Sequence, residues 1–225
     1  MYQYIFLDLD DTILDFHKAE AIAVAKAFAA IRVTPTEDLI CRYSEINKLH
    51  WQMLERGECT REQVSVERFA HLFRERGIQA DALDCKEAYE EFLRVGHYFI
   101  PGAEEILPYL AKKYQLYLAS NGTARVQHSR LESAGIRPYF QDVFISERIG
   151  SHKPNAAFFD RCFAKIPGFD RTKALMIGDS LTSDMQGGNR AGIDTCWYNP
   201  KSAKRIEGIK INYEIQDLLE LKTFL

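Results

Sequence analysis

The sequence predicts an α/β protein: a doubly wound parallel sheet of Rossmann-like type, with an all-helical domain inserted after its first strand. Three observations carry this prediction. Tyr4 to Leu7 is a short apolar run with aromatic content, the pattern of a strand buried on both faces. From Asp15 to about Tyr98 there is no convincing strand, only helical spacing. From Gly102 onward, strands and helices alternate, which predicts a parallel sheet covered by helices on both sides. The expected division is residues 1–14 with 99–225 as the sheet domain, and 15–98 as the helical domain.

Within the helical stretch, Ala21, Val24, Ala25, Phe28 and Ile31 follow one face of a helix, as do Phe69, Leu72 and Phe73. Thr34-Pro35-Thr36-Glu37 reads as a helix start with proline near the first turn. Thr60 followed by Gln63 has the form of a capping box, and Gly57 and Gly77 punctuate. In the second half, a helix from Ala103 to Lys113 precedes a strand at Gln115 to Ala119. Further strands are expected at Val143 to Ser146, Ala174 to Ile177, Thr195 to Tyr198 and Lys210 to Tyr213. Helices should follow Ser120-Asn121-Gly122-Thr123, Lys153-Pro154 and Gly178-Asp179-Ser180.

Bulk properties narrow the function. A chain of 225 residues with 46% hydrophobic content can bury a sizeable core. Its net charge of -3 offers no electrostatic footprint for polymeric nucleic acid, although a local site could still hold a small anion. Five scattered cysteines with no C-x-x-C pair argue against a disulfide framework and a structural zinc site. No apolar stretch has membrane-spanning length, and no basic segment precedes the first apolar run. The expectation is a soluble cytoplasmic protein with no membrane partner, a monomer or a homodimer.

The chemistry sits at strand ends. Asp8 and Asp10 follow the first strand two residues apart; held close, they repel unless a proton or cation intervenes. Ser120 ends the second strand, Lys153 lies beyond the third, Asp179 follows the fourth, and Asp184 comes five residues later. Each has an ordinary explanation: helix caps for Asp10, Asp11, Thr12, Ser120 and Asp179, surface positions for Lys153 and Asp184. In a doubly wound sheet, however, the C-terminal strand ends converge on one rim, where ligands bind. Oxygen-only ligands suit Mg²⁺, with Mn²⁺ as an alternative ion, and the metal would relieve the repulsion among Asp8, Asp10 and Asp179. Lys153 and backbone N–H groups at Asn121 and Gly122 could hold the equatorial oxygens of a phosphoryl group. Asp10 is the obvious second acid to protonate a leaving oxygen.

Asp8-Leu9-Asp10-Asp11-Thr12, then Ser120-Asn121-Gly122, then Lys153-Pro154, then the Gly178 to Asp184 run resemble, in order, the four motifs of the haloacid dehalogenase (HAD) superfamily. The resemblance implies Asp8 as the nucleophile that forms an aspartyl-phosphate and Asp10 as general acid/base. It implies Thr12 as the residue orienting Asp10, Ser120 as a phosphate ligand, and Lys153 as the cation steadying Asp8 and phosphate. Asp179 and Asp184 would complete the Mg²⁺ site, with the backbone carbonyl of Asp10 as a further ligand. The helical insertion corresponds to a type 1 cap. Dehalogenases of the superfamily lack the second aspartate of the first motif, so Asp10 points to phosphate chemistry.

Asp15-Phe16, Trp51, Gly57 to Arg61, Gly96-His97, Gly187-Gly188 and Gly192 to Trp197 extend the likeness to the bacterial house-cleaning pyrimidine 5′-nucleotidases of the YjjG/YfnB type. That resemblance implies a Mg²⁺-dependent phosphomonoesterase acting on nucleoside 5′-monophosphates. Phosphatases for phosphoglycolate or sugar phosphates, and phosphohexomutases, share the same rim and differ in the cap. A phospho-aspartate receiver module uses similar residue types but is much shorter and has no helical insertion. In the cap, Phe16, His17, His50, Trp51 and His97 are the candidates to face substrate, with Trp51 suited to stack on a base. Closure would hinge near Phe16 and Phe99.

Overall fold

The structure, a computed structural model, describes residues 1–225. It divides into two compact units, Met1–Asp15 with His97–Leu225, and Phe16–Gly96. The first contains six parallel strands: β1 (Tyr4–Leu7), β2 (Gln115–Ser120), β3 (Phe140–Ile145), β4 (Ala174–Gly178), β5 (Asp194–Tyr198) and β6 (Tyr213–Ile215). Their order is β3-β2-β1-β4-β5-β6, the doubly wound arrangement that the alternation predicts. The chain winds from β1 toward β3, then crosses back to β4 on the other side of β1. The gap between β1 and β4 is therefore the topological switch point.

Alternation along β1 shows how the sheet is buried. Ile5 and Leu7 join a core with α5 (Ala103–Ala111) through Ile106, Leu107 and Leu110. Tyr4 and Phe6 face the other way, into a core with α7 (Ala156–Phe163) through Phe158, Phe159 and Phe163. A strand apolar at every position is what such two-sided cover demands. Two edges differ from expectation. β3 starts at Phe140 rather than Val143, because Gln141 and Asp142 are exposed on an edge strand. β6 is Tyr213–Ile215 rather than Lys210 to Tyr213; Lys210 instead bonds Asn189 through its backbone.

The second unit has four helices, α1 (Phe16–Ala30), α2 (Glu37–Glu55), α3 (Arg61–Arg76) and α4 (Ala82–Leu93). Thr60 and Gln63 form the reciprocal capping box of α3. The cap of α2 is Thr36, whose hydroxyl accepts from Leu39 N at 3.2 Å, so Pro35 lies ahead of the cap rather than in the first turn. The buried face of α1 comprises Ala19, Ala23, Val24, Ala27 and Phe28; Ala21 and Ala25 flank it, and Ile31 lies past the helix end. Tyr43 stacks on Phe69 at 4.8 Å in the centre of this unit.

A polar chain crosses that apolar centre. Glu20 accepts from Ser44 Oγ and Asn47 Nδ2, each at 2.5 Å, and Asn47 Oδ1 accepts from Arg68 Nη1 at 2.7 Å. Burial pushes the Glu20 carboxyl above its ordinary range, against the hydrogen bonds from Ser44 and Asn47 and the Arg68 charge. Arg68→Met removes the buried guanidinium whose charge opposes that shift and is expected to cost about 3–5 kcal/mol. In thermal unfolding, the double variant with Glu20→Gln should lose less than the two single losses combined. Additive losses would mean that the acid and the cation are independent.

No helix is long and apolar enough to cross a membrane. Cys41, Cys59, Cys85, Cys162 and Cys196 are all free thiols.

Candidate active site

The ladder of β1 runs one residue past its last paired strand position. Asp8 N donates to Ile177 O at 3.0 Å, which brings Asp8 to the C-terminal edge of β1 beside β4. Its carboxylate is buried, and Oδ1 accepts from Lys153 Nζ at 2.6 Å. The same ammonium donates to Asp184 Oδ1 at 2.6 Å and to the Ala119 carbonyl at 2.5 Å. Lys153 thus spends its three hydrogens on the ends of three different segments.

Asp179 completes an acidic group. Carboxylate oxygens of Asp8, Asp179 and Asp184 lie within 4.8 Å of one another. Burial pushes Asp8 up to about 8; Lys153 opposes this, and Asp184 and Asp10 add to it. Asp179 is raised well above the carboxylate range, first by burial, then by the charges of Asp184, Asp8 and Asp11. One lysine cannot offset three acids, two of them buried and Asp179 half-buried, so the site is short of positive charge. An all-oxygen donor set of this spacing with a charge deficit fits a hard divalent cation.

Local sequence explains why the acids converge. Gly178 ends β4 where a Cβ would sit 2.2 Å from Asp184 Oδ2, so no other residue lets the acid pass. Ser180 N donates to that same oxygen at 3.1 Å, and Ser180 Oγ caps the wide turn Leu181–Met185 by accepting from Ser183 N at 3.1 Å. Trp197 Nε1 donates to Asp179 O at 2.8 Å and fixes the backbone that carries the acid. Gly178→Ala is expected to displace Asp184 and weaken Mg²⁺ binding at least tenfold, read by titration calorimetry. Unchanged affinity would remove Asp184 from the ion's surroundings.

Asn121 plays a part that spacing alone does not reveal. Its side-chain amide brackets the backbone of Lys153, with Oδ1 accepting from Lys153 N and Nδ2 donating to Lys153 O, both at 2.9 Å. Nδ2 also donates to Ser183 Oγ at 3.3 Å, which ties the loops after β2, β3 and β4 together.

Asp10 and Thr12 are placed differently from the sequence reading. The Asp10 carboxylate stands outside the acidic group and has its own cation: Oδ1 accepts from Arg130 Nη1, and Oδ2 from Gln127 Nε2 at 2.6 Å. The repulsion expected between Asp8 and Asp10 is therefore met by two protein cations, Lys153 and Arg130. Thr12 Oγ1 lies 3.4 Å from Asp179 Oδ1, so its hydroxyl serves the acid of the fourth motif, while Gln127 and Arg130 orient Asp10. Gln127 and Arg130, both on α6 (Ala124–Ser133), are not marked out by the sequence motifs. Their only signal is two polar residues on the helix face that also carries Leu131.

The expected substrate-facing residues fall on different elements. Phe16 and His17 open α1, and Trp51 lies on α2 with the Arg61 guanidinium 5.5 Å from its ring centre. His50 sits 3.2 Å from His71, ring nitrogen to ring nitrogen, in the same unit. His97 belongs to the sheet unit.

Comparison with known proteins supplies the family. Residues 4–198 match the family model for haloacid dehalogenase-like hydrolases, and the chain belongs to that family. It is 40% identical over 220 residues to the HAD-hydrolase YfnB of Bacillus subtilis, covering 98% of this chain and 94% of that one. It is 38% identical to the pyrimidine 5′-nucleotidase PynA of Streptococcus pneumoniae, over 97% of this chain and 94% of the relative. It is 30% identical to the pyrimidine 5′-nucleotidase YjjG of Escherichia coli, over 100% of this chain and 98% of the relative. A crystal structure of YfnB bound to magnesium, described as revealing interdomain movement, superposes with a TM-score of 0.95 over 100% of this chain and 98% of that one. The chain is thus a HAD hydrolase related to pyrimidine 5′-nucleotidases.

Proposed function

We propose that this protein is a Mg²⁺-dependent phosphomonoesterase that hydrolyses nucleoside 5′-monophosphates, pyrimidine nucleotides foremost, through an aspartyl-phosphate on Asp8. The observation that carries this reading is the convergence of Asp8, Lys153, Asp179 and Asp184 at the switch point of the sheet. The pyrimidine 5′-nucleotidases among the relatives support the substrate class.

Asp8, Asp179 and Asp184 would hold the ion, with the Asp10 backbone carbonyl as a further ligand; when bound, it offsets their repulsion and polarises the phosphoryl group. Asp8 Oδ1 is occupied by Lys153, so Oδ2 attacks phosphorus. The phosphorus–ester oxygen bond breaks, and Asp10 delivers a proton to the departing nucleoside 5′ oxygen. Ser120 and the backbone N–H group at Asn121 hold the equatorial oxygens, where the transferring group concentrates its charge. The Gly122 N–H is spent on Ser120 Oγ, and Lys153, whose hydrogens go to Asp8, Asp184 and Ala119, adds the field of its positive charge. In the second half, Asp10 takes a proton from water as the water attacks phosphorus. The Asp8–phosphorus bond breaks and inorganic phosphate leaves. The helical unit would act as the cap that selects the nucleoside, with Phe16, His17, Trp51 and His97 as candidate contacts.

The test is steady-state hydrolysis of UMP, dTMP, a 5-substituted analogue, phosphoglycolate and a hexose phosphate, with Mg²⁺, with Mn²⁺ and with EDTA. The expected result is metal-dependent release of equal amounts of phosphate and nucleoside, fastest for the pyrimidine nucleotides. Preference for a non-nucleotide ester would move the substrate class, and metal-independent hydrolysis would overturn the mechanism.

A further inference from the structure

A third side chain links Ser120 to Asp10. Gln127 is buried on α6, seven residues past Ser120. Its Nε2 donates to Asp10 Oδ2 at 2.6 Å and to Ser120 Oγ at 2.8 Å, and its Oε1 accepts from Arg130 Nη1 at 3.0 Å. Arg130 closes the ring by donating to Asp10 Oδ1 from the same Nη1. The amide orientation follows from its neighbours. Arg130 can only donate and the Asp10 carboxylate can only accept, so the reversed amide would set oxygen against oxygen and nitrogen against nitrogen.

That orientation fixes the polarity of Ser120. The hydroxyl has two lone pairs and one hydrogen. Gly122 N donates to Ser120 Oγ at 3.0 Å, and Gln127 Nε2 takes the second lone pair. The hydrogen is left as the only group that Ser120 can offer a ligand, so it must be met by an acceptor. Gly122 also makes the arrangement sterically feasible. A Cβ at that position would lie 2.4 Å from Gln127 Nε2 and would drive the amide off both partners.

We propose that Gln127 is a positioning residue that commits the Ser120 hydroxyl to donating to a tetrahedral oxyanion while aiming Asp10 at the leaving oxygen of the same substrate. This rests on the phosphomonoesterase reading above. Gln127 touches neither phosphate nor nucleoside; it acts through Ser120 and Asp10, the one group holding phosphate and the other serving the leaving group. Such coupling predicts a signature that general loosening of the site would not produce. Loss of Gln127 should weaken oxyanion binding and should also penalise esters whose leaving oxygen needs a proton.

The experiment compares the wild-type holoenzyme with Gln127→Glu and Gly122→Ala in Mg²⁺. It measures inhibition by inorganic phosphate and kcat/KM for UMP and for p-nitrophenyl phosphate, whose leaving group departs without protonation. Gln127→Glu keeps the shape but puts an acceptor against Ser120, which then spends its hydrogen inward. Gly122→Ala displaces the amide without changing it, so it tests the same claim independently of the new charge. The expected result is an inhibition constant for phosphate at least about tenfold higher, with the UMP to p-nitrophenyl phosphate ratio of kcat/KM falling at least about tenfold. Adding Ser120→Ala to Gln127→Glu should raise the inhibition constant little further. Equal losses on both esters with unchanged phosphate inhibition would overturn the assignment, as would variants within twofold of wild type. A wild-type protein that hydrolyses neither ester and does not bind phosphate overturns the phosphomonoesterase reading itself, and this proposal with it.

Discussion

Asp8→Asn is expected to remove turnover by a factor on the order of 10⁴ or more while the sheet still forms, since the loss of a covalent nucleophile has effects of that size in other hydrolases. The amide is isosteric, and its oxygen can still accept from Lys153 Nζ in the place of Asp8 Oδ1. Its other atom is a nitrogen with no pair to give phosphorus. The structural side of the exchange is favourable. Burial penalises the charged form of Asp8, and Asp184 and Asp10 add to that penalty. A neutral side chain avoids both effects and gives up only part of the attraction to Lys153. Active sites commonly hold such unfavourable charge for the sake of chemistry, and removing it leaves stability equal or higher. The check is kcat on UMP together with the thermal midpoint of the same preparation. A folded Asp8→Asn protein that keeps more than about one per cent of wild-type turnover would show that another group or water attacks phosphorus.

How much of this site is legible in the sequence depends on the range of each interaction. Strand ends are local features. Tyr4 to Leu7 announces a two-sided strand, and Asp8 follows directly. The doubly wound order then gathers Asp8, Ser120, Lys153 and Asp179 on one rim by topology alone. What spacing cannot supply is the direction of each side chain once there. Asp10 and Asp8 look equivalent in sequence, yet one pairs with Lys153 and the other with Arg130, 120 positions away. Thr12 looks like the partner of Asp10, and its hydroxyl lies against Asp179 instead. The same holds for Glu20, Asn47 and Arg68, which meet from three helices inside an apolar unit. Helical periodicity in apolar residues marks the buried face but says nothing of polar groups sharing it. Strand boundaries depart from expectation at the two sheet edges, β3 and β6, where exposed polar residues interrupt the apolar signal.

Removing the metal is expected to make the protein progressively less stable as pH rises from 6 to 8, and Mg²⁺ should restore more at the top of that range than at the bottom. The sign follows from two acids whose pKa values the site raises. Asp8 is raised from 3.8 to about 8 in the folded protein, and Asp179 is raised well above 3.8. Between the unfolded and folded values, the native state binds more protons than the unfolded chain, so unfolding free energy falls as pH increases. The contribution is fully present below about 3.8 and gone once Asp8 has passed about 8. Mg²⁺ competes with those same protons, so its affinity grows as they leave. At a hundredfold excess over its dissociation constant, a ligand specific for the folded state adds about 2.7 kcal/mol. For a chain of this size that corresponds to roughly 5–10 °C in thermal midpoint. Thermal scans in EDTA and in Mg²⁺ at pH 6, 7 and 8 provide the measurement, with Asp179→Asn as the control. That variant loses one charge and one metal ligand together. Its midpoint in EDTA should match or exceed wild type at pH 8, and its response to Mg²⁺ should be small. A wild-type midpoint at pH 8 indifferent to Mg²⁺ would mean that Asp8, Asp179 and Asp184 do not share a cation, and with that the case for metal-assisted phosphoryl transfer at this rim would be lost.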